Sequence, residues 1–381
     1  MPSSAYRATL APAQAAAPPL PVARPTMPVA DDLVPYLRRI DEARWYSNFG
    51  PLLTDFEARL KARFTDAPAL ITAVNGTQAL TMALMAMKLP RGALVATPAW
   101  TFVATAHAVL AAGLTPFFCD VDPETWMLTP ETVMAARRHA PGPISAVLPV
   151  SAFGRPMDLA AWASFRDATG LPVLADAAAA FDGTTTAPVP VMVSLHATKA
   201  LGVGEGGLLA GPDPELIEAV RCLTVFGFSG DREARAPATN AKLSEYAAAV
   251  GLASLDGWAG TRLRYATAAQ WLRMALINVP EIEFQPGWGL SWIPSTCVVG
   301  LPEGAADRVE ASLRAVGVDT RRWWALGCHR ARAFIGMPQA DLSVTERLAG
   351  STIGLPYYSD MTQDEVARVA AALVDAVRSA A

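Results

Sequence analysis

The sequence predicts an α/β protein: a mainly parallel sheet covered by helices, followed by a smaller C-terminal α+β domain. Three observations predict it. Strand-sized runs that are apolar throughout recur from residue 69 to residue 212, helix-sized stretches separate most of them, and from about residue 244 the pattern turns helical and then mixed. A strand with one wet face would alternate apolar and polar residues, so continuously apolar strands indicate a sheet covered on both sides. In such sheets ligands sit beyond the carboxyl ends of the strands. Residues that directly follow a strand are therefore the candidates for function.

The chain has 381 residues, 52% hydrophobic and 17% charged, which suits one large domain and a smaller one. Its net charge is −4 with both signs interspersed. Nucleic acid would require a clustered basic face and is not an expected partner. No uninterrupted apolar run is long enough to span a membrane. The four cysteines (Cys119, Cys222, Cys297, Cys328) contain no C-x-x-C pair, which argues against a zinc site or disulfide framework and for a cytoplasmic protein without a metal. The opening MPSSAYRATLAPAQAAAPPLPVARPTMP lacks the apolar core of a secretory signal, and residues 1–29 read as a flexible Ala/Pro-rich arm. The large domain is expected over 30–259 and the small one over 260–381.

The elements follow in order. DDLVPYLRRI has the apolar spacing of a helix, and in TDFEARLKARF the pair Thr54 and Glu57 stands at capping-box spacing. The runs ALITAV, ALVATP, TPFFCDV, ISAVLPV, LPVLAD and VPVMVSL are strands, with helices in TQALTMALMAMK, TFVATAHAVLAAG and MDLAAWASFRDATG between them. GLLAGP reads as a further strand. SEYAAAVGLASLDGW is helical, STCVVGL is a strand of the small domain, and TQDEVARVAAALVDAVRSA is its terminal amphipathic helix.

Chemistry is sought where strands end. SLHATKALGVGEGG contains a formal G-x-G-x-x-G (Gly202, Gly204, Gly207), but the glycines follow a lysine, and a strand rather than a helix comes after them. Both the dinucleotide fingerprint and the P-loop fail on that order. The glycines are expected to form a low-bulk turn that lets backbone pass close to a ligand. After ALITAV come Asn75, Gly76 and Thr77 at a helix start, either a simple cap or an anion site suited to phosphate. Trp100 and Phe102 follow the next strand and could stack on a flat cofactor or pack in the core. Asp176 ends LPVLAD amid alanines; it either caps a helix over AAAAF or meets a buried cation such as a protonated pyridine nitrogen. Ser194 ends VPVMVS, and Lys199 stands between that strand and the glycine turn, where desolvation would lower its pKa and favour attack on a carbonyl. Phosphate turn, aromatic, aspartate, serine and lysine in this order are the parts of a pyridoxal 5'-phosphate site.

WYSNFGPLLTDFEARL, NGTQAL, ATPAWTFVATAHAVLAAGLTPFFCDVDPETWMLTP, LPVLADAAAAFDG, SLHATKALGVGEGGLL, TNAKLSEYAAAVGLASLD and LPYYSDMTQDEV together resemble the DegT/DnrJ/EryC1/StrS sugar aminotransferases, which have the type I pyridoxal-phosphate aminotransferase fold. The resemblance covers all but the arm. It implies that Lys199 binds the cofactor covalently, that Asp176 pairs with the pyridine nitrogen, that Phe102 stacks on the ring, and that Gly76, Thr77 and Ser194 hold the phosphate. It implies further that Asn240 reaches the phosphate of a neighbouring subunit, making the active unit a homodimer. His196, in the phrase S-x-H-x-x-K, reads as structural or as supporting a neighbouring site residue more often than as catalytic. Two positions depart from the family: Ala179 stands where Gln or His usually touches the ring hydroxyl, and Ala238 where glycine is common. Lys199 argues against the family branch that replaces the lysine with histidine and dehydrates sugars.

RRWWALGCH together with WYSNFGPL is most similar to enzymes that aminate C4 of a dTDP-4-keto-6-deoxyhexose. The expected substrates are therefore L-glutamate and a nucleotide-linked keto sugar, in two half-reactions. Arg321, Arg322, Trp323, Trp324 and His329 form the segment in which nucleotide-sugar contacts are expected, with Arg321, Trp324 and His329 the chosen candidates; a packed edge with solvated charges is the equal alternative. Two rivals stand beside this reading: a non-catalytic protein that binds the cofactor or a nucleotide sugar, and an aminotransferase for a GDP-sugar or a 3-keto sugar.

Overall fold

A computed structural model describes residues 18–380 of the chain. Seven strands build the main sheet: β1 (Ala69–Ala73), β2 (Leu94–Pro98), β3 (Thr115–Cys119), β4 (Ile144–Val147), β5 (Ala175–Asp176), β6 (Val191–Ser194) and β7 (Gly207–Gly211). They form two hydrogen-bonded groups, β1-β7-β6-β5 and β3-β2-β4. Leu174 N–H donates to the Val147 carbonyl at 3.0 Å and Asp176 N–H to the Pro149 carbonyl at 2.8 Å, so β5 runs beside β4 and joins the groups. The order is then β3-β2-β4-β5-β6-β7-β1. All neighbours are parallel except β7, which runs against both β6 and β1.

The expected covering of both faces holds. Along β7, Leu208 and Ala210 belong to one core cluster and Leu209 to another; along β6, Val191 and Val193 belong to the first and Met192 to the second. Strand side chains alternate between faces, so each cluster is one side of the sheet. The helices supplying those sides include α1 (Ala30–Ala43), α2 (Pro51–Lys61), α3 (Gly76–Ala86), α4 (Val103–Ala111), α5 (Pro130–Ala136), α6 (Leu159–Thr169), α7 (Pro214–Thr224) and α8 (Glu245–Asp256). After α9 (Trp258–Leu276) come β8 (Glu283–Phe284), β9 (Cys297–Gly300), α10 (Ala306–Ala315), α11 (Ser343–Ser351), β10 (Thr352–Leu355) and α12 (Gln363–Ala380). The antiparallel trio β10-β9-β8 shares a third core with α9, α10 and α12.

Three expectations need correction. The arm is not free over its described part: Leu20 and Val22 are buried, Leu20 exchanges backbone hydrogen bonds with Gly317 and Asp319, and Arg24 pairs with Asp360 and Glu365. Apolar residues in an Ala/Pro-rich stretch found an open edge of the third core. Residues 1–17 lie outside the described residues. Thr54 and Glu57 form no capping box, because α2 already begins at Pro51 and proline favours the first helical turn. Thr54 instead donates to the Gly50 carbonyl, and Glu57 accepts from the Thr72 N–H at 2.8 Å and pairs with Arg221. No helix follows Asp176, which leaves its carboxylate free of that capping role.

Candidate active site

The carboxyl ends of β2, β4, β5 and β6 and the start of α3 open onto one cavity of about 400 Å³. At one end Asn75 caps α3, its Oδ1 accepting from Gln78 N–H at 2.8 Å. Capping and anion binding coexist here, since the N–H groups of Gly76 and Thr77 begin the helix and have no carbonyl one turn back to bond. Bulk is excluded at this point. A Cβ on Gly76 would meet Met192 Sδ at 2.9 Å, and one on Gly207 would meet Gly76 N at 2.7 Å. Gly207 thus lets β7 pass against the helix start, and its position needs glycine for space because a side chain would meet backbone there. Gly76, Thr77 and Ser194 all line the cavity.

Asp176 is buried. Its Oδ2 accepts from Thr105 Oγ1 at 2.8 Å and its Oδ1 from Ala178 N–H at 3.1 Å. Burial pushes its pKa up, and these two bonds and the charge of Lys199 pull it back. Burial pushes the Lys199 amine down, with Asp176 opposing. Both shifts favour neutral forms until a partner arrives, which is the state expected of a lysine ready to attack a carbonyl and an acid waiting for a cationic ring. His196 also lines the cavity; its Nδ1 bonds Thr198 Oγ1 at 2.8 Å and its Nε2 lies 3.6 Å from Glu205.

Phe102 lines the cavity and is 56% exposed, whereas Trp100 is core: it is 2% exposed and packs edge-on against Phe153 and Trp324. Of the RRWW segment, Trp323 and Trp324 line the cavity. Arg321 does not; its guanidinium stacks on the Trp323 ring at 4.9 Å. His329 does not either. It is buried against Phe118 with Nε2 3.8 Å from Glu346, and burial lowers its pKa. Asn240 is exposed beside Lys242, outside this chain's own cavity. The residues that sequence reasoning missed are Thr105, Ser151, Phe153, Ser295 and Thr296, all lining the cavity. Thr105 lies inside the quoted TFVAT, but nothing in that phrase says that its hydroxyl meets Asp176. Among the described residues no cluster could hold a metal ion.

An anion cradle, a buried acid and a desolvated lysine on one cavity fit pyridoxal phosphate, and the unpartnered hydroxyl of Ser151 leaves a hydrogen bond for a ligand. These features define the class as that of pyridoxal-phosphate enzymes of the type I fold. The comparisons agree. The profile of the DegT/DnrJ/EryC1/StrS aminotransferase family matches residues 29–374, and the chain belongs to that family, as a pyridoxal-phosphate-dependent sugar aminotransferase. It is similar to the protein Rv3402c of Mycobacterium tuberculosis, 31% identical over 98% of this chain and 96% of that one. The UDP-2-acetamido-2-deoxy-3-oxo-D-glucuronate aminotransferase of Pseudomonas aeruginosa is 29% identical, over 86% of this chain and 91% of its own. The crystal structure of DesI with its TDP-sugar product superposes with a TM-score of 0.85 at 34% identity, covering 95% of this chain and 94% of DesI. No helix among the described residues is long and apolar enough to cross a membrane.

Proposed function

We propose that this chain moves the amino group of L-glutamate to C4 of a dTDP-4-keto-6-deoxyhexose, in the cytoplasm and as a homodimer. The observation that carries the reaction is the shared cavity of Lys199, Asp176 and the α3 cradle. The likeness to DesI, solved with a TDP-sugar product, supports the thymidine nucleotide. The Pseudomonas relative supports a different nucleotide and the 3-keto position as the second reading.

Bound pyridoxal phosphate would supply the carbonyl carbon that carries the amino group from donor to acceptor and the electron sink for the proton transfers between them. Gly76, Thr77 and Ser194 would grip its phosphate, and Phe102 would cover one ring face. Asp176, fixed by Thr105 and Ala178, would keep a proton on the ring nitrogen. Lys199 would hold the cofactor between turnovers. Once displaced, its neutral Nζ would take the donor's α-proton and return it. Ala179 offers no side-chain hydrogen bond, which removes tuning worth about 1 kcal/mol rather than the reaction.

The test is spectroscopic. The purified protein with added pyridoxal phosphate should show the visible band of lysine-bound cofactor, and L-glutamate should bleach it. Lys199→Ala should show neither change. A band that forms without Lys199 would sink the assignment, and a band that ignores glutamate would favour the non-catalytic rival. A panel of dTDP-, UDP- and GDP-linked 4-keto and 3-keto sugars then separates the acceptor readings.

A further inference from the structure

The pairing of β6 with β7 outruns both strands. Ser194 faces Gly207 at the end of the ladder, and the same antiparallel register continues past them. Leu195 N–H donates to the Gly206 carbonyl and Ala197 N–H to the Gly204 carbonyl, each at 2.8 Å. His196 therefore stands opposite Glu205. Side chains alternate along such a ladder, and Met192, Ser194 and His196 accordingly all line the cavity, as does Glu205. The two side chains of the last pair are well exposed, His196 by 43% and Glu205 by 64%.

Lys199 lies in the turn that this extension closes. Its N–H donates to the His196 carbonyl at 2.8 Å, and the His196 ring holds the residue just before it. Nδ1 meets Thr198 Oγ1 at 2.8 Å and accepts from Thr198 N–H at 3.2 Å. Only an Nδ1 without a proton can accept that N–H, so the hydroxyl donates as well and the neutral ring carries its proton on Nε2. Nε2 faces Glu205 Oε1 at 3.6 Å. The ring thus ties the outgoing limb, through Thr198, to Glu205 on the returning one. Gly202 and Gly204 stand between, and Gly204 has a φ of +94°. Glycine leaves backbone freer than other residues do, so a turn that carries two gains most from a side chain joining its limbs. The amine of Lys199 sits at the end of a flexible four-carbon stem, and its direction depends on the backbone from which that stem starts.

Resting on the proposed role of Lys199, we infer that His196 is a positioning residue: its ring fixes the Thr198–Lys199 backbone so that Lys199 Nζ meets the cofactor's aldehyde, with which it condenses with loss of water. Two forms of the cofactor, titrated into the cofactor-free protein, test this. Pyridoxal phosphate can condense with Lys199. Pyridoxamine phosphate has an amine in place of the aldehyde and depends on the phosphate grip, the ring stack and Asp176 alone. In His196→Leu the Kd for pyridoxal phosphate should rise about tenfold, and that for pyridoxamine phosphate by less than about twofold. His196→Asn puts Oδ1 where Nδ1 stood, can still accept the Thr198 N–H, and should recover most of the loss. Thr198→Val removes one of the two donors without touching the ring, and should raise the Kd for pyridoxal phosphate about threefold with the amine form again unmoved. Retained binding of the amine form also shows that each variant is folded. Equal losses for both forms, no loss for either, or an asparagine variant as poor as the leucine one would overturn the positioning role. A parent that binds pyridoxal phosphate without the visible band of lysine-bound cofactor would instead remove the role of Lys199 itself, a failure seen before any variant is made.

Discussion

Asp176 is positioned before any cofactor arrives, and Thr105 does much of that positioning through its 2.8 Å bond. Thr105→Val keeps the shape and removes the donor. The Kd for pyridoxal phosphate should rise roughly tenfold, the equivalent of about 1.4 kcal/mol for a bond to a carboxylate, read by titrating cofactor-free protein. An unchanged Kd would mean that the Ala178 N–H suffices alone. Lys199 and Asp176 were legible in the sequence because each follows an apolar run at a strand end, where an ionisable group is costly without a use. Thr105 was not legible, since a threonine inside a helix looks the same whether its hydroxyl bonds its own backbone or a residue 71 positions away. Arg321 and His329 show the converse. An Arg-Arg-Trp-Trp run has one spelling for a lining and a packed edge, and here the tryptophans line while Arg321 stacks outward and His329 sits in the core.

At the scale of elements, strands that are apolar throughout could be found by eye, and the strand runs expected in the sequence, GLLAGP and STCVVGL included, correspond to β1–β7 and β9. Helix starts were harder to find, because capping letters are common and only one of two competing signals can win, as Pro51 does over Thr54. The true cap of α2 is not local at all. Glu245, 1% exposed, accepts from Leu52 N–H at 2.8 Å and Leu53 N–H at 2.9 Å across 193 and 192 residues. A carboxylate at a helix N-terminus gains from both hydrogen bonds and the helix dipole. Glu245→Ala should therefore cost about 2–3 kcal/mol in urea unfolding and Glu245→Gln about half of that, since the amide still accepts one bond. A loss below about 0.5 kcal/mol for the alanine variant would place it among ordinary surface substitutions and refute the capping role.

For the whole molecule, the arrangement of cores was legible in coarse form, because the alternation marked one sheet with two sides. What ties them was hidden, because Leu20 and Asp182 act on partners hundreds or scores of residues away. The proposed homodimer belongs to this scale too. Trp45, Tyr46, Phe226 and Tyr246 are each about half exposed, Tyr46 stacks on Tyr246 at 6.3 Å, and the Tyr46 carbonyl accepts from Glu245 N–H. Large aromatics left to water side by side, as Tyr46 and Tyr246 are, mark a surface that another body covers, and Phe102, 56% exposed at the proposed ring-stacking position, leaves the cofactor side of the cavity open as well. In the proposed homodimer the Asn240 of the second copy is the residue expected to reach the phosphate. On this argument Tyr246→Asp, placed at an exposed position, should leave the chain folded with little loss of stability yet shift it from dimer to monomer in sedimentation velocity. Its affinity for pyridoxal phosphate should fall about tenfold or more, because part of the grip would come from the neighbour. A parent protein that sediments as a monomer and still binds cofactor tightly would show that one chain closes the site by itself.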